Sequence, residues 1–155
     1  MSNTHFVDST GLSSSNVSTA RDLIKLVNAA YKHPLIRDLS INPGKWVQFR
    51  GPRYGLQYRN DNPLVRSSRR NVSLSKTGYL DAAGRCLVMV AEMDGEPRVV
   101  VLLDSLGTRT PLGDAGRIRR WLETGTGGSV AVGALNYERE RAAERELAIQ
   151  QSAGL

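Results

Sequence analysis

Two apolar segments joined by a tight-turn sequence constrain the fold of this 155-residue chain more than any other feature. The segments are residues 85–93 and 98–103, and the Asp-Gly-Glu-Pro sequence between them has the composition of a hairpin turn. Residues 71–76 alternate apolar and polar side chains, which is typical of a strand with one buried face. Three consecutive strands with short connections predict an antiparallel meander.

Helical and turn patterns flank these strands. The expected elements are a helix capped by Ser18 or Thr19 that ends before Pro34, short strands at residues 46–49 and 55–58, and a helix capped by Asp114 that stops at Thr124. Trp46 and Trp121 are expected to be core or half-buried anchors. The predicted fold is α+β, with an antiparallel sheet and helices packed on it.

The net charge of +6 is concentrated in one stretch. Residues 45–76 contain a single acid, Asp61, against eight basic residues: Lys45, Arg50, Arg53, Arg59, Arg66, Arg69, Arg70 and Lys76. Such a stretch attracts polyanions. No nucleic-acid-binding motif accompanies it, so a solvated basic face is favoured over a nucleic-acid interface.

Composition also argues against disulfide, metal and cofactor chemistry. A single cysteine, Cys86, excludes an intrachain disulfide, and its place in an apolar strand predicts a buried packing role. Two isolated histidines and one cysteine do not make a metal site, and no phosphate-binding or dinucleotide loop is present, so no cofactor is expected. As written, the sequence leads us to expect no signal peptide at its start, and it has no apolar run long enough to span a membrane.

The strongest chemical signal is Lys76-Thr77-Gly78, placed at the end of a predicted strand. A strand that borders a cleft can pair with an extended peptide, and a glycine lets the two backbones come close. Lys76 supplies a cation for a carboxylate or a developing oxyanion, and Thr77 supplies a hydroxyl. The tripeptide alone is weak, but it is one of the motifs of penicillin-interacting serine enzymes.

The context of this tripeptide carries a family resemblance. Residues 73–89, Ser-Leu-Ser-Lys-Thr-Gly-Tyr-Leu-Asp-Ala-Ala-Gly-Arg-Cys-Leu-Val-Met, resemble the Lys-Thr-Gly strand and the following hairpin of serine-type D-alanyl-D-alanine peptidases, the low-molecular-mass penicillin-binding proteins. Residues 4–12 with 18–26, and residues 106–125, resemble two further stretches of that family. The resemblance covers residues 1–125, which would be the C-terminal portion of the catalytic domain. Residues 126–155 are interpreted as a flexible or helical tail.

The resemblance implies part of a β-lactamase/transpeptidase-like domain and a periplasmic protein. The intact parent would be a peptidoglycan D-alanyl-D-alanine endopeptidase or carboxypeptidase that binds the stem peptide, acts through a serine acyl-enzyme and is acylated by β-lactams. Lys76, Thr77, Gly78 and Tyr79 would form the substrate and oxyanion wall, with the Tyr79 N–H as one oxyanion donor. Leu80 departs from the threonine expected there.

Two family motifs are missing. The nucleophile motif Ser-x-x-Lys and the Ser-x-Asn motif precede, in family order, the point where this chain begins. Ser73-Leu-Ser-Lys76 matches the first only in letters, because residues three apart on a strand point to opposite faces. Ser14-Ser-Asn16 matches the second but follows the expected position. No catalytic nucleophile or base is therefore expected here, and the chain alone is predicted to be inactive.

Alternatives to catalysis stay open. The chain could be a non-catalytic module that binds peptidoglycan peptides, or, less favoured, a basic nucleic-acid-binding protein. Loss of the nucleophile helix would expose several large apolar side chains, each worth roughly 1.5–3 kcal/mol when buried. The chain alone is therefore expected to fold poorly or to form a homodimer through the exposed sheet.

Overall fold

The computed structural model describes residues 1–67 and 71–153, and it has the predicted α+β architecture. The elements in chain order are α1 (Ala20–Tyr31), α2 (Pro34–Ser40), β1 (Gly44–Arg50), β2 (Arg53–Arg59), β3 (Val72–Leu80), β4 (Gly84–Met93), β5 (Glu96–Ser105), α3 (Thr110–Thr124) and α4 (Val132–Ala153). The strands β3, β4 and β5 form the predicted antiparallel meander. The strands β1 and β2 form a separate two-stranded hairpin.

The β4–β5 turn follows from its sequence. Asp94 and Gly95 both adopt positive φ angles, 53° and 72°. Two consecutive left-handed residues make the tight hairpin turn whose twist matches that of the flanking strands, and Asp-Gly is a preferred pair for it. The short turn fixes the register, with Val90 opposite Val99 and Met93 opposite Glu96.

The sheet is covered on both faces. On one face, Leu87, Met89 and Met93 of β4 are at most 2% exposed and belong to the cluster that includes Val100 of β5 and Ala115 of α3. On the other face, Leu74 and Val90 pack against Val27 of α1. The alternation along β4 therefore serves two cores, one under α3 and one under α1.

The first helix begins where its capping residue predicts. The side chain of Thr19 accepts a hydrogen bond from the Asp22 N–H, which satisfies one of the free donors of the first turn. The buried Asp22 carboxylate accepts bonds from the Asn3 N–H (2.8 Å) and the Thr4 hydroxyl (3.0 Å). Asp22 thus fastens the N-terminal loop to α1, and these bonds, with Lys25, lower its pKa to about 2.

Three local predictions were wrong. The strand β3 does not end at the lysine but continues to Leu80, because its pairing with β4 runs without interruption from Leu74 to Leu80. The helix α3 begins at Thr110 rather than at Asp114, with Pro111 in its first turn, where a missing N–H costs nothing. Trp46 and Trp121 are 60% and 58% exposed and are not core anchors.

The basic stretch lies on the surface where the structure describes it. Lys45, Arg50, Arg53, Arg59, Arg66 and Lys76 are all exposed. Arg69 and Arg70 lie outside the described residues. No helix in the described ranges is both long enough and apolar enough to cross a lipid bilayer.

Candidate functional site

The backbone of β3 is open on one side. Its other side pairs with β4, and among residues 1–67 and 71–153 the sheet has no further strand beyond β3. The Ser75 N–H donates to the Ser40 Oγ of α2 (3.2 Å) instead of to β4. Alternate residues of an antiparallel strand direct their N–H and C=O groups to the same side. Thr77 and Tyr79 therefore direct theirs away from β4, out of the sheet.

A cleft of about 480 Å³ borders this open edge. One wall is Lys76, Thr77, Gly78 and Tyr79, so the structure brings all four sequence-predicted residues to a single depression. The remaining lining comes from residues 61–63, from residues 85–87 of β4, and from Thr108, Pro111 and Leu112 at the start of α3. The segment around Lys76 is neither covered by a helix nor set on a flat surface.

Lys76 and Gly78 leave the wall free for a ligand. Lys76 is exposed and forms no ion pair in residues 1–67 and 71–153; its ammonium donates to the Thr77 carbonyl. A Cβ added to Gly78 would meet no atom within 4 Å, and the backbone of Gly78 does not need a positive φ. The fold of this chain therefore does not itself require glycine at position 78.

Tyr79 is held at two points of its ring. Its hydroxyl donates to Asp81 (2.6 Å), and the Arg85 guanidinium lies 4.3 Å from the ring centroid. The hydrogen bond to Asp81 raises the pKa of the Tyr79 phenol. Arg85 stands opposite Tyr79 in the β3–β4 register, so the pair closes the turn end of the cleft.

Two asparagines attach the loop before β3 to the start of the site. Asn62, 1% exposed, donates from Nδ2 to the Ser75 hydroxyl (2.9 Å) and accepts from the Leu64 N–H (3.0 Å). Asn60 donates to the Ser40 carbonyl (2.8 Å). Ser40 and Ser75 are themselves bonded, so α2, the loop and β3 are connected through polar contacts.

Sequence reasoning missed part of this site. It did not single out Asn62, Arg85 or Pro111 as lining residues, and only the position of Arg85 opposite Tyr79 in a hairpin could have indicated one of them. It also placed Cys86 in the core, which was wrong. Cys86 is partly exposed, pairs with Gly78 across the sheet and lines the cleft.

The two letter matches to missing motifs do not form catalytic pairs. The Ser73 hydroxyl donates to the Val90 carbonyl (3.4 Å), whereas the Lys76 ammonium contacts the Thr77 carbonyl. Asn16 is used inside the N-terminal loop, where its Oδ1 accepts from the Val7 N–H (2.8 Å). In the described part of the chain, no group of three or more His, Cys, Asp or Glu side chains could hold a metal ion.

Comparisons with known proteins show which family the chain belongs to. The family profile described as D-alanyl-D-alanine carboxypeptidase matches residues 1–107. The D-alanyl-D-alanine endopeptidase of Escherichia coli (strain K12) is 45% identical over 150 residues, which are 97% of this chain and 48% of that protein. The D-alanyl-D-alanine endopeptidase of Pseudomonas aeruginosa is 45% identical over 147 residues, 95% of this chain and 47% of that protein.

Solved structures with a similar fold include a DD-transpeptidase and a penicillin-binding protein. A cysteine-to-alanine mutant of the Streptomyces K15 DD-transpeptidase has a TM-score of 0.68 at 28% identity, over 78% of this chain and 48% of that one. Cefotaxime-bound penicillin-binding protein D2 of Listeria monocytogenes has a TM-score of 0.60 at 27% identity, over 74% and 46%. The chain thus spans about half the length of the relatives it matches. The sequence alone gave no resemblance for the segment after residue 125. The alignment with the E. coli protein covers 97% of this chain and therefore includes most of that segment.

Proposed function

Because this chain belongs to the D-alanyl-D-alanine carboxypeptidase family of serine peptidases, we propose that β3 is the substrate-binding wall of a peptidoglycan D-alanyl-D-alanine endopeptidase or carboxypeptidase. The observation that carries the proposal is the open edge of β3, which directs the backbone groups of Thr77 and Tyr79 away from the sheet beside a cleft. The names of the relatives support the endopeptidase reaction. A periplasmic location belongs to the same proposal.

The wall residues would act on an extended peptide that ends in D-amino acids. The peptide backbone would pair with the N–H and C=O groups of Thr77, as a strand added to a sheet edge, and the Lys76 ammonium would leave the Thr77 carbonyl for the ligand. The Lys76 ammonium and the Thr77 hydroxyl would bind the carboxylate beyond the scissile bond. The Tyr79 N–H would stabilise the oxyanion of the tetrahedral intermediate.

The nucleophile is the part of this reaction that the chain does not provide. No serine of the described residues stands at the start of a helix with a lysine one turn later, as the acylation step requires. In the proposed enzyme, a serine and a lysine base from elsewhere in the parent protein would face the wall. β-Lactams would acylate that serine, and this chain alone would be inactive.

The first test separates binding from catalysis. The chain is titrated with an N-acyl-D-Ala-D-Ala peptide and with its L,L enantiomer, followed by calorimetry. We expect weak binding, with a Kd on the order of 1 mM, for the D,D peptide and weaker binding for the enantiomer. Equal affinity for both enantiomers would contradict a wall built for D-amino acids.

Matched variants and a covalent probe sharpen this test. Lys76→Ala should weaken D,D-peptide binding about tenfold, since a charge-assisted bond is lost, whereas Lys32→Ala, at an exposed lysine next to α1, should leave it unchanged. Fluorescent penicillin should give no labelled band with the 155-residue chain. A labelled band would show that the chain carries its own nucleophile.

A non-catalytic module that holds peptidoglycan peptides is the second candidate. The same cleft supports it, because binding needs the wall and not the nucleophile. The two candidates differ in the parent protein, where only the enzyme would release D-alanine or cleave cross-linked peptides.

A further inference from the structure

The β1–β2 hairpin presents a second, separate surface that the proposed cleft does not use. In its register, Trp46 faces Gln57, Gln48 faces Gly55, and Arg50 faces Arg53. These residues share one face of the two-stranded sheet because side chains alternate along each strand. The indole face is defined by its six large members: Trp46, Gln48, Arg50, Arg53, Gln57 and Arg59.

Trp46 lies flat on this surface as a platform. A Cβ added to Gly55 would come within 2.0 Å of the indole ring, so the ring covers the strand at a position that has no side chain. The side of the ring that faces away from Gly55 is open, and Trp46 as a whole is 60% exposed. The indole ring thus lies on the backbone of β2 with its other side in solvent, where it is available to stack on a flat ligand.

All charged residues of the β1–β2 hairpin are basic. Residues 44–60 contain four cations, Lys45, Arg50, Arg53 and Arg59, and no acid. All four are exposed, and none of them forms an ion pair within residues 1–67 and 71–153. Guanidinium groups without a partner suit carboxylates and other oxyanions.

The hairpin stands beside the cleft. At its base, the Asn60 N–H donates to the Pro43 carbonyl (3.1 Å), and the Asn60 Nδ2 donates to the Ser40 carbonyl (2.8 Å) and the Asn42 carbonyl (3.1 Å). The next residues, Asp61 and Asn62, line the cleft. A polymer whose side branch enters the cleft can therefore pass next to the hairpin.

We propose that the indole face binds the glycan backbone of the polymer whose peptide branches enter the cleft, at neighbouring sugars that have lost their peptide and so carry a free lactyl carboxylate. Trp46 stacks on the C–H face of a pyranose ring, the amides of Gln48 and Gln57 bond sugar hydroxyls, and Arg50, Arg53 and Arg59 pair with carboxylates. The identity of the polymer rests on the proposed function. A single platform between two amides fits sugars better than single-stranded nucleic acid, which uses several stacked aromatic rings along a basic groove.

The experiment uses peptidoglycan glycan strands from which an amidase has removed every stem peptide. Hydrolysis of the amide bond frees a lactyl carboxylate on each sugar that carried a peptide. The strands offer no peptide to the cleft, so their binding tests the hairpin. Binding of the 155-residue chain is followed by microscale thermophoresis at low salt. We expect saturable binding. Trp46→Ala should weaken it roughly tenfold, because one stacking platform is lost. The double variant Arg53→Gln with Arg59→Gln should also weaken it.

The controls separate this inference from the proposed function. Tyr58→Ala changes an exposed aromatic residue on the opposite face of the hairpin, and Arg139→Gln removes an exposed cation from α4; both should bind strands normally. Normal glycan binding by Trp46→Ala would overturn the inference even if the D,D peptide still binds the cleft. Equal or tighter binding of single-stranded DNA of matched charge would overturn it in favour of a nucleic-acid surface.

Discussion

At the scale of single residues, Ser75 determines which backbone groups of β3 reach the cleft. Its N–H bonds Ser40 of α2, so Thr77 and Tyr79, two and four residues later, direct their own N–H groups to the same side. Its hydroxyl is taken by the buried Asn62 amide. The geometry of the proposed oxyanion donor thus depends on two serines and an asparagine that would not contact the substrate.

Asn62 is the residue whose loss should cost most in stability at the site. Asn62→Ala leaves the buried Ser75 hydroxyl without its donor and the Leu64 N–H without its acceptor. An unsatisfied buried polar group costs about 1–3 kcal/mol, and we expect a loss of that size in the free energy of unfolding. Urea denaturation measures it, and Asn28→Ala, at an exposed asparagine of α1 away from the site, serves as the control. No loss of stability in Asn62→Ala would mean that the loop is not fastened to β3.

Gly78 should behave in the opposite way. No atom lies near the position of a Cβ, so Gly78→Ala should fold normally and gain about 0.5–1 kcal/mol from reduced chain entropy. If a peptide backbone comes close to this residue, the same substitution should weaken D,D-peptide binding by a factor of about ten. Stability is measured by urea denaturation and affinity by calorimetry. Unchanged affinity would contradict close approach of the ligand at Gly78.

At the scale of elements, the sequence predicted the meander and α1 correctly because their signals are local. Asp94-Gly95 supplies the turn, and Thr19 supplies the cap. The end of β3 was missed because Thr-Gly is a common strand terminator, whereas pairing with β4 carries the strand through to Leu80. The start of α3 was missed because Asp114 caps nothing; it pairs with Arg117 inside the helix. The cleft joins residues 61–63, 76–79 and 108–112, and no local pattern encodes such contacts.

Helix α4 is attached to the sheet mainly through one carboxylate. Asp104, at the end of β5, accepts bonds from Tyr137 (2.8 Å), Arg141 (2.9 Å) and Arg145 (2.9 Å) of α4. Large apolar side chains of the helix, such as Leu147 (58% exposed) and Ile149 (66% exposed), remain in solvent. Attachment through charges predicts that docking of α4 weakens with salt.

Asp104→Asn should release α4. Asparagine tolerates the positive φ of 53° at this position, so the substitution removes the charge without adding backbone strain. We expect hydrogen exchange of residues 132–153 to accelerate by about an order of magnitude, with β3 to β5 unaffected. Arg139→Gln, on the same helix, should change little. Unaltered protection of α4 in Asp104→Asn would contradict the electrostatic attachment.

The same contact should depend on pH with a definite sign. Burial alone would raise the pKa of Asp104, but the bonds from Arg141, Tyr137 and Arg145 outweigh it and hold this pKa below its ordinary value of 3.8. A lowered pKa in the folded state means that docking is complete at neutral pH and is lost as pH falls below 3.8 and through the lower value. Hydrogen exchange of α4 at decreasing pH, corrected for intrinsic rates, tests this. Release of α4 at rising pH would contradict it.

At the scale of the whole molecule, the chain presents an open strand edge and a cleft that would form one side of the proposed active site. Both edges of the three-stranded sheet lack a further strand among the described residues, and the cleft is lined by a wall without a nucleophile. The chain belongs to the D-alanyl-D-alanine carboxypeptidase family, and the relatives are about twice as long as the chain. Poor folding of the chain alone and a homodimer through the sheet stay predictions.

The most direct measurement is backbone-amide NMR of the 155-residue chain titrated with N-acyl-D-Ala-D-Ala. We expect saturable shifts that are largest at Thr77 and Tyr79, whose N–H groups point out of the sheet, and small at Lys76 and Gly78, whose N–H groups point towards β4. Shifts spread over the surface, or confined to residues away from β3, would contradict β3 as the substrate-binding wall.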